Sequence, residues 1–225
     1  MSFRYGDAEE VIKNRRNFLR KKDLSLEDCV VMQVEHGDRI AVVDNSDRGK
    51  GALVGTDGFT VDALITKEKG ITLFLLTADC LPVAYFDPNK KVIGLAHLGW
   101  KSTEKNLASK VVDRMKEEFG TNPKDLVALI GPGIRKDSYI FHDPVQKSSP
   151  EWRPFLEDIS SGDTKIDLVG YNKSRLLKAG VLQSNIFSDD RYDTAKHPMF
   201  YSHYRSARTR EPEGRFATII GLKKV

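Results

Sequence analysis

Only two cysteines, Cys29 and Cys80, occur among the 225 residues, too few for the disulfide framework of a small secreted domain. No apolar run approaches the ~20 residues needed to cross a bilayer, so no membrane segment is expected. The opening Met1-Ser2-Phe3-Arg4-Tyr5-Gly6-Asp7 carries no hydrophobic stretch for secretion. A cytoplasmic location, with both thiols reduced, is the resulting expectation. The chain also lacks internal repeats, low-complexity tracts and long Lys/Arg runs. Its net charge of +4 is therefore weak support for a nucleic-acid partner, and none is expected. A basic cleft for a small anionic molecule accounts for the same surplus.

What is present is an ordinary globular composition, 40% hydrophobic and 30% charged, in a chain long enough for a sizeable core. The most apolar stretch, Ile71-Thr72-Leu73-Phe74-Leu75-Leu76, reads as a strand buried on both faces. It stops at the small polar turn Thr77-Ala78-Asp79 and delivers Cys80. A second strand, Val83 to Phe86, passes through a turn at Asp87-Pro88-Asn89-Lys90. A third, Val92 to Ala96, ends in His97, so these strands read as a short meander. Upstream, Val30 to Val34 is a strand ending at Glu35-His36-Gly37-Asp38, which reads as a hairpin or tight bend before Ile40 to Val43.

Helices are fewer. Asp7 with Glu10 resembles an N-cap and its partner, and an apolar stripe follows to about Leu19. The clearest pattern spans Ser102 to Phe119, where Leu107, Val111, Met115 and Phe119 recur at i+4 before Gly120. Asn172 to Ala179 is a shorter helix. Strands are expected at Asp62–Thr66, Leu126–Ile130, Ile186–Phe187, Phe200–Tyr204 and Phe216–Ile220. Many strands with few helices between them indicate an α+β fold with mixed or antiparallel sheets.

One cysteine and two histidines, Cys80, His36 and His97, thus fall at strand ends beside small residues. Their spacing matches no local metal-binding pattern. A buried cysteine is often a small hydrophobe, and a lone histidine is often structural. A site exists only if the three meet in space.

Several blocks together resemble the YfiH-type laccase-domain family, named for polyphenol oxidase activity and associated with purine nucleoside metabolism. They are Val34-Glu35-His36-Gly37-Asp38-Arg39-Ile40, Asp62 to Thr66, Thr77-Ala78-Asp79-Cys80-Leu81-Pro82-Val83 and Ala96-His97-Leu98-Gly99-Trp100-Lys101. Ile130-Gly131-Pro132-Gly133-Ile134, Ser138-Tyr139 and Asn14-Arg15-Arg16 extend the likeness over essentially the whole chain. The resemblance implies one laccase-like domain over residues 1–225, a single-domain α/β sandwich with mixed β-sheets and helices packed outside. It implies that His36, Cys80 and His97 are both metal ligands and catalytic residues, holding zinc, with copper also accepted in vitro. Two imidazoles and a thiolate suit zinc and leave a fourth position open, as catalytic sites do. Such a zinc lowers the pKa of bound water toward about 7.

The resemblance further implies a purine nucleoside phosphorylase and adenosine deaminase acting on adenosine, inosine or methylthioadenosine. Purine nucleoside and phosphate are its small-molecule partners, and the chain is expected to be a monomer or weak homodimer. Asp62 or Asp79 would carry the proton in deamination, as a non-ligand carboxylate does in nucleobase deaminases. Arg15, Lys101 and Arg205 are candidates for an anion pocket. The family pattern is not fully kept. Gln33 stands one residue further back than the usual glutamine, and the HxGW block continues as Lys101-Ser102 rather than Arg-Gly. The cysteine-containing pair before Tyr139 is Asp137-Ser138 here. The late SYRR segment becomes His203-Tyr204-Arg205-Ser206, followed by the basic Arg208-Thr209-Arg210.

Three other functions compete with this one. A multicopper polyphenol oxidase needs many histidines, and the chain has five. A metal-free hydrolase would use Cys80 as nucleophile and His97 as base. A binding or scaffold protein would use the triad structurally.

Overall fold

In the central strands, alternate residues turn to opposite faces, and both faces are apolar. The computed structural model describes residues 1–160 and 162–223. Along the chain they form α1 (Ala8–Arg20), β1 (Cys29–Gln33), β2 (Ile40–Val42), β3 (Phe59–Thr60), β4 (Ala63–Thr66), β5 (Thr72–Thr77), β6 (Leu81–Asp87) and β7 (Val92–Leu98). Then come α2 (Trp100–Glu104), α3 (Leu107–Phe119), β8 (Val127–Ile130), β9 (Ile140–His142), β10 (Leu156–Asp158), β11 (Asp163–Ile166) and α4 (Leu168–Lys178). β12 (Ile186–Ser188), α5 (His203–Thr209) and β13 (Phe216–Gly221) follow.

Two mixed sheets form the body. One has the order β13-β5-β1-β3, the other β12-β8-β6-β7-β4-β2, and a small third sheet is β10-β11-β9. Val30, Met32, Leu73 and Leu75 from the first sheet pack with Leu64, Ile93 and Leu95 of the second. On the opposite face of the first sheet, Val31 and Phe74 pack with Leu19 of α1. On the opposite face of the second, Ile65, Val83, Tyr85 and Ala96 meet Leu107, Val111 and Met115 of α3. The α+β sandwich, with mixed sheets inside and helices outside, follows from this two-sided burial. No helix among the described residues is long and apolar enough to cross a membrane.

Four local expectations differ from the structure. The single helix over 102–119 is two, because Asn106 adopts left-handed φ 60° and ends the first turn. Asparagine tolerates that conformation, which helical periodicity does not reveal. The expected strand at 200–204 is instead the approach to α5, which Ser202 caps by accepting from the N–H of Arg205 at 3.0 Å. β5, β6 and β7 are not a meander: β6 pairs with β7, but β5 belongs to the other sheet. Nor is His36 in a hairpin, since β1 and β2 also lie in different sheets.

Candidate metal centre and its cleft

Those last two differences build the site. His36 sits where the chain leaves the first sheet after β1, and Cys80 where it leaves the same sheet after β5. Each crossing uses a left-handed residue, His36 itself (φ 60°) and Asp79 (φ 82°). Such conformations are strained for residues other than glycine and persist where surrounding contacts hold them. His97 arrives along β7, in register opposite Pro82 of β6, which keeps it beside the start of that strand and Cys80. The ligand atoms of His36, Cys80 and His97 lie within 4.8 Å of one another. Their burial is graded: His36 is exposed, Cys80 half-buried and His97 buried. Among the described residues no other group of three His, Cys, Asp or Glu side chains is so gathered.

Asp62, fully buried, organises the group. Its carboxylate lies 2.8 Å from Nδ1 of His97 and accepts from the backbone N–H of His36 at 3.0 Å and of Gly37 at 2.7 Å. Burial alone would raise its pKa, but the His97 hydrogen bond and these N–H donors hold it below the usual carboxylate range. With Nδ1 engaged by Asp62, His97 presents Nε2 to the centre. Burial pushes the Cys80 thiol up, yet the charges and hydrogen bonds of His97 and His36 overcome it and bring it to about 6. Burial pulls His97 down, and the Cys80 thiolate with Asp62 lifts it to about 9. Without a metal, the pair is therefore thiolate and imidazolium at neutral pH. A thiolate with two imidazoles is a donor set that zinc or copper accepts, with one position left for another ligand. The residues present fit such an ion.

Gly99 keeps the centre open. A Cβ at this residue would lie 3.0 Å from Cys80 Sγ and 3.4 Å from His36 Cδ2. The adjoining turn is pinned by buried Ser102, whose hydroxyl accepts from Gly99 N–H at 2.9 Å and lies 2.9 Å from the His97 carbonyl oxygen.

The centre opens into a cleft of about 990 Å³. Its aromatic lining includes Phe3, Tyr5, Trp100, Tyr139, Phe141 and Tyr204. Asp79 lines it too, but its carboxylate accepts from Thr194 Oγ1 and from Tyr204 N–H, both at 2.7 Å. Asp62 lies behind His97 rather than on the cleft wall. Arg15 reaches the wall, but its buried guanidinium donates to the carbonyls of Met1, Gly51 and Ala52. Burial lowers that guanidinium to about 10. Arg205 is turned away from the cleft, donating to Glu211 and to the Thr194 and Phe200 carbonyls at 2.7–2.8 Å. Lys101 is exposed, 5.5 Å from the centre of the Trp100 ring, and is not part of the lining. The cations that do line the outer cleft are Arg4, Arg208 and Arg215. Sequence reasoning missed them as site residues, although Arg208, in the last turn of α5, belongs to the basic Arg208-Thr209-Arg210 segment it singled out.

Comparison with known proteins follows the same lines. The family model described as multi-copper polyphenol oxidoreductase laccase matches residues 1–223. The chain is 32% identical to purine nucleoside phosphorylase YlmD of Bacillus subtilis, over 96% of this chain and 78% of that protein. It is 30% identical to adenosine deaminase RL5 of an unknown prokaryotic organism, over 88% of this chain and 78% of that protein. The crystal structure of YlmD from Geobacillus stearothermophilus superposes with TM-score 0.92 at 33% identity, covering 100% of this chain and 84% of that one. Bacillus licheniformis YfiH superposes with TM-score 0.87 at 32% identity, covering 96% and 82%.

Proposed function

This chain belongs to the multi-copper polyphenol oxidoreductase laccase family, and from that premise we propose that it is a zinc-dependent purine nucleoside enzyme. Its reactions are phosphorolysis of the glycosidic bond and deamination of adenosine. One observation carries the reading: His36, Cys80 and His97 converge at the inner end of an aromatic cleft. The relatives' names, nucleoside phosphorylase and adenosine deaminase, agree with it.

When bound, zinc supplies Lewis acidity sufficient to make water a nucleophile near neutral pH. His36 Nε2 or Nδ1, Cys80 Sγ and His97 Nε2 would hold it. Asp62 keeps the proton of His97 on Nδ1 and so keeps Nε2 available as a donor. Cys80 is already thiolate at neutral pH. The aromatic walls offer flat faces to a purine. In deamination, water adds at the ring carbon bearing the amine, the carbon–nitrogen bond breaks and ammonia leaves. In phosphorolysis, phosphate takes the sugar carbon as the bond to the base breaks. Asp79 lines the cleft, held on its wall by the Thr194 hydroxyl and the Tyr204 N–H, and the second lone pair of each carboxylate oxygen leaves it able to carry the proton.

A second reading has its own observation. Cys80 thiolate, His97 and Asp62 are ordered as nucleophile, base and orienting carboxylate, the arrangement of a Cys-His hydrolase. Metal analysis of the purified protein separates the two, since the hydrolase reading requires activity without metal. A multicopper oxidase is disfavoured because His142, His197 and His203 join no second cluster among the described residues. The experiment that tests the main reading is product identification by mass spectrometry. Adenosine, inosine and methylthioadenosine are each incubated with zinc-loaded protein, with and without phosphate. Free base formed only with phosphate, and inosine formed from adenosine without it, are the results expected. No product from any of the three would reject the reading.

A further inference from the structure

We propose that the outer cleft is a binding site for a phosphoryl group, free or esterified to the substrate, held by Arg4, Arg208 and Arg215. The identity of the rest of the ligand rests on the nucleoside reading. Of the four arginines lining the cleft, Arg15 commits its guanidinium to three backbone carbonyls, Arg215 donates to the Gly214 carbonyl and the Tyr5 hydroxyl, and Arg208 donates to one carbonyl only. Arg4 and Arg215 both lie over the Tyr5 ring, 5.5 and 4.6 Å from its centre. Arg208 lies 3.4 Å over the Tyr204 ring and donates to the Tyr204 carbonyl at 3.0 Å.

The carboxylates available do not balance them. Asp79 accepts from Thr194 and Tyr204. Glu213 is 3.9 Å from Arg215 and is shared with His203. Three guanidinium groups thus face one shared carboxylate in a concave surface, where a positive potential is focused on whatever enters. Guanidinium forks match phosphoryl oxygens in geometry as well as charge.

Two links hold this wall in register with the metal centre. The N–H of Tyr204, whose ring carries Arg208, donates to Asp79, the residue before Cys80. Arg215 precedes Phe216, which pairs with Thr77 at the end of β5 that leads to Cys80. A ligand anchored by its phosphoryl group would therefore reach toward His36, Cys80 and His97 from a fixed point.

The test is calorimetric binding to zinc-loaded protein at low salt, with adenosine, adenosine 5′-phosphate and orthophosphate as probes. For an esterified phosphoryl group, adenosine 5′-phosphate binds at least about tenfold tighter than adenosine. That advantage shrinks as salt is raised. Arg208→Gln and Arg4→Gln remove it and leave the adenosine Kd unchanged, and Arg208→Lys restores part of it. For the free anion, orthophosphate binds with the same arginine dependence while the ester has no advantage. Both arginines are exposed, and unchanged melting temperatures verify that each variant folds. Phosphoryl binding indifferent to both substitutions, or an equal loss for adenosine and its phosphate, overturns the proposal. Orthophosphate bound through the arginines by a protein that ignores adenosine would reject the nucleoside reading and leave the phosphoryl site standing.

Discussion

Asp62 Oδ1 lies 2.8 Å from Nδ1 of His97, and the two side chains are 0% and 3% exposed. The same carboxylate takes the N–H groups of His36 and Gly37. One buried group therefore fixes the ring of one candidate ligand and the backbone of another. Metal-ligating histidines commonly depend on such a partner.

Asp62→Asn should separate orientation from folding. The amide must turn its NH₂ toward either His97 or the backbone donors, so some hydrogen bonds are lost. Zinc affinity, measured by chelator competition, should fall about 10- to 100-fold. Stability should fall by about 1–3 kcal/mol, read from the urea midpoint. Unchanged zinc affinity would show that Asp62 only supports the backbone.

Zinc binding should release protons in a pH-dependent number. With Cys80 at about 6 and His97 at about 9, the metal-free pair holds one proton between those values, on the imidazole. The metal needs thiolate and neutral imidazole, so this pair gives up about one proton per zinc at pH 7.5, and the zinc-bound water adds a further fraction. Below pH 6 both must leave, and above pH 9 neither. Affinity therefore rises with pH, most steeply on the acid side. Calorimetry in buffers of different ionisation enthalpy reads the number directly. A value near zero at pH 7.5 would contradict the thiolate–imidazolium pair.

Gly99→Ala should impair the centre without loosening the core. The added methyl would meet Cys80 Sγ at 3.0 Å and the His36 ring at 3.4 Å. Gly99 has no left-handed φ, so backbone strain is not the cause of the loss. Cobalt-substituted protein should show an altered visible spectrum, with weaker metal retention on dialysis. A spectrum identical to wild type would show that the turn gives way freely.

Met115→Ala tests the helical face on the second sheet. Met115 is fully buried among Leu107, Val111 and strand residues. The substitution should cost about 2–5 kcal/mol. An unchanged denaturation midpoint would mean that the cavity closes completely.

Much of this was legible in the residues themselves. The apolar run ending at Thr77 and the strand ending at Leu98 are where periodicity and turn residues put them, to within a residue or two. What was not legible follows from long-range pairing. β5 and β6 look like neighbours in one sheet, and only the pairing of β5 with β1 and β13 reveals the crossing that presents Cys80. Arg4, Arg208 and Arg215 come from the two ends of the chain, and the register of β13 on β5 brings the late segment to the cleft. Arg205 has the right charge and lies near the site in sequence, but Glu211 and two carbonyls occupy its guanidinium. The left-handed residues His36, Asp79 and Asn106 carry no periodic signal at all.

The most direct measurement is steady-state turnover of adenosine and inosine by Cys80→Ala, beside its thermal melt followed by circular dichroism. Cys80 is held between two well-buried strands, β5 and β6, and the substitution removes only a sulfur. We predict loss of turnover to background with a melting curve close to that of the zinc-free wild type. Turnover retained at the wild-type rate would contradict the assignment of His36, Cys80 and His97 as the catalytic centre.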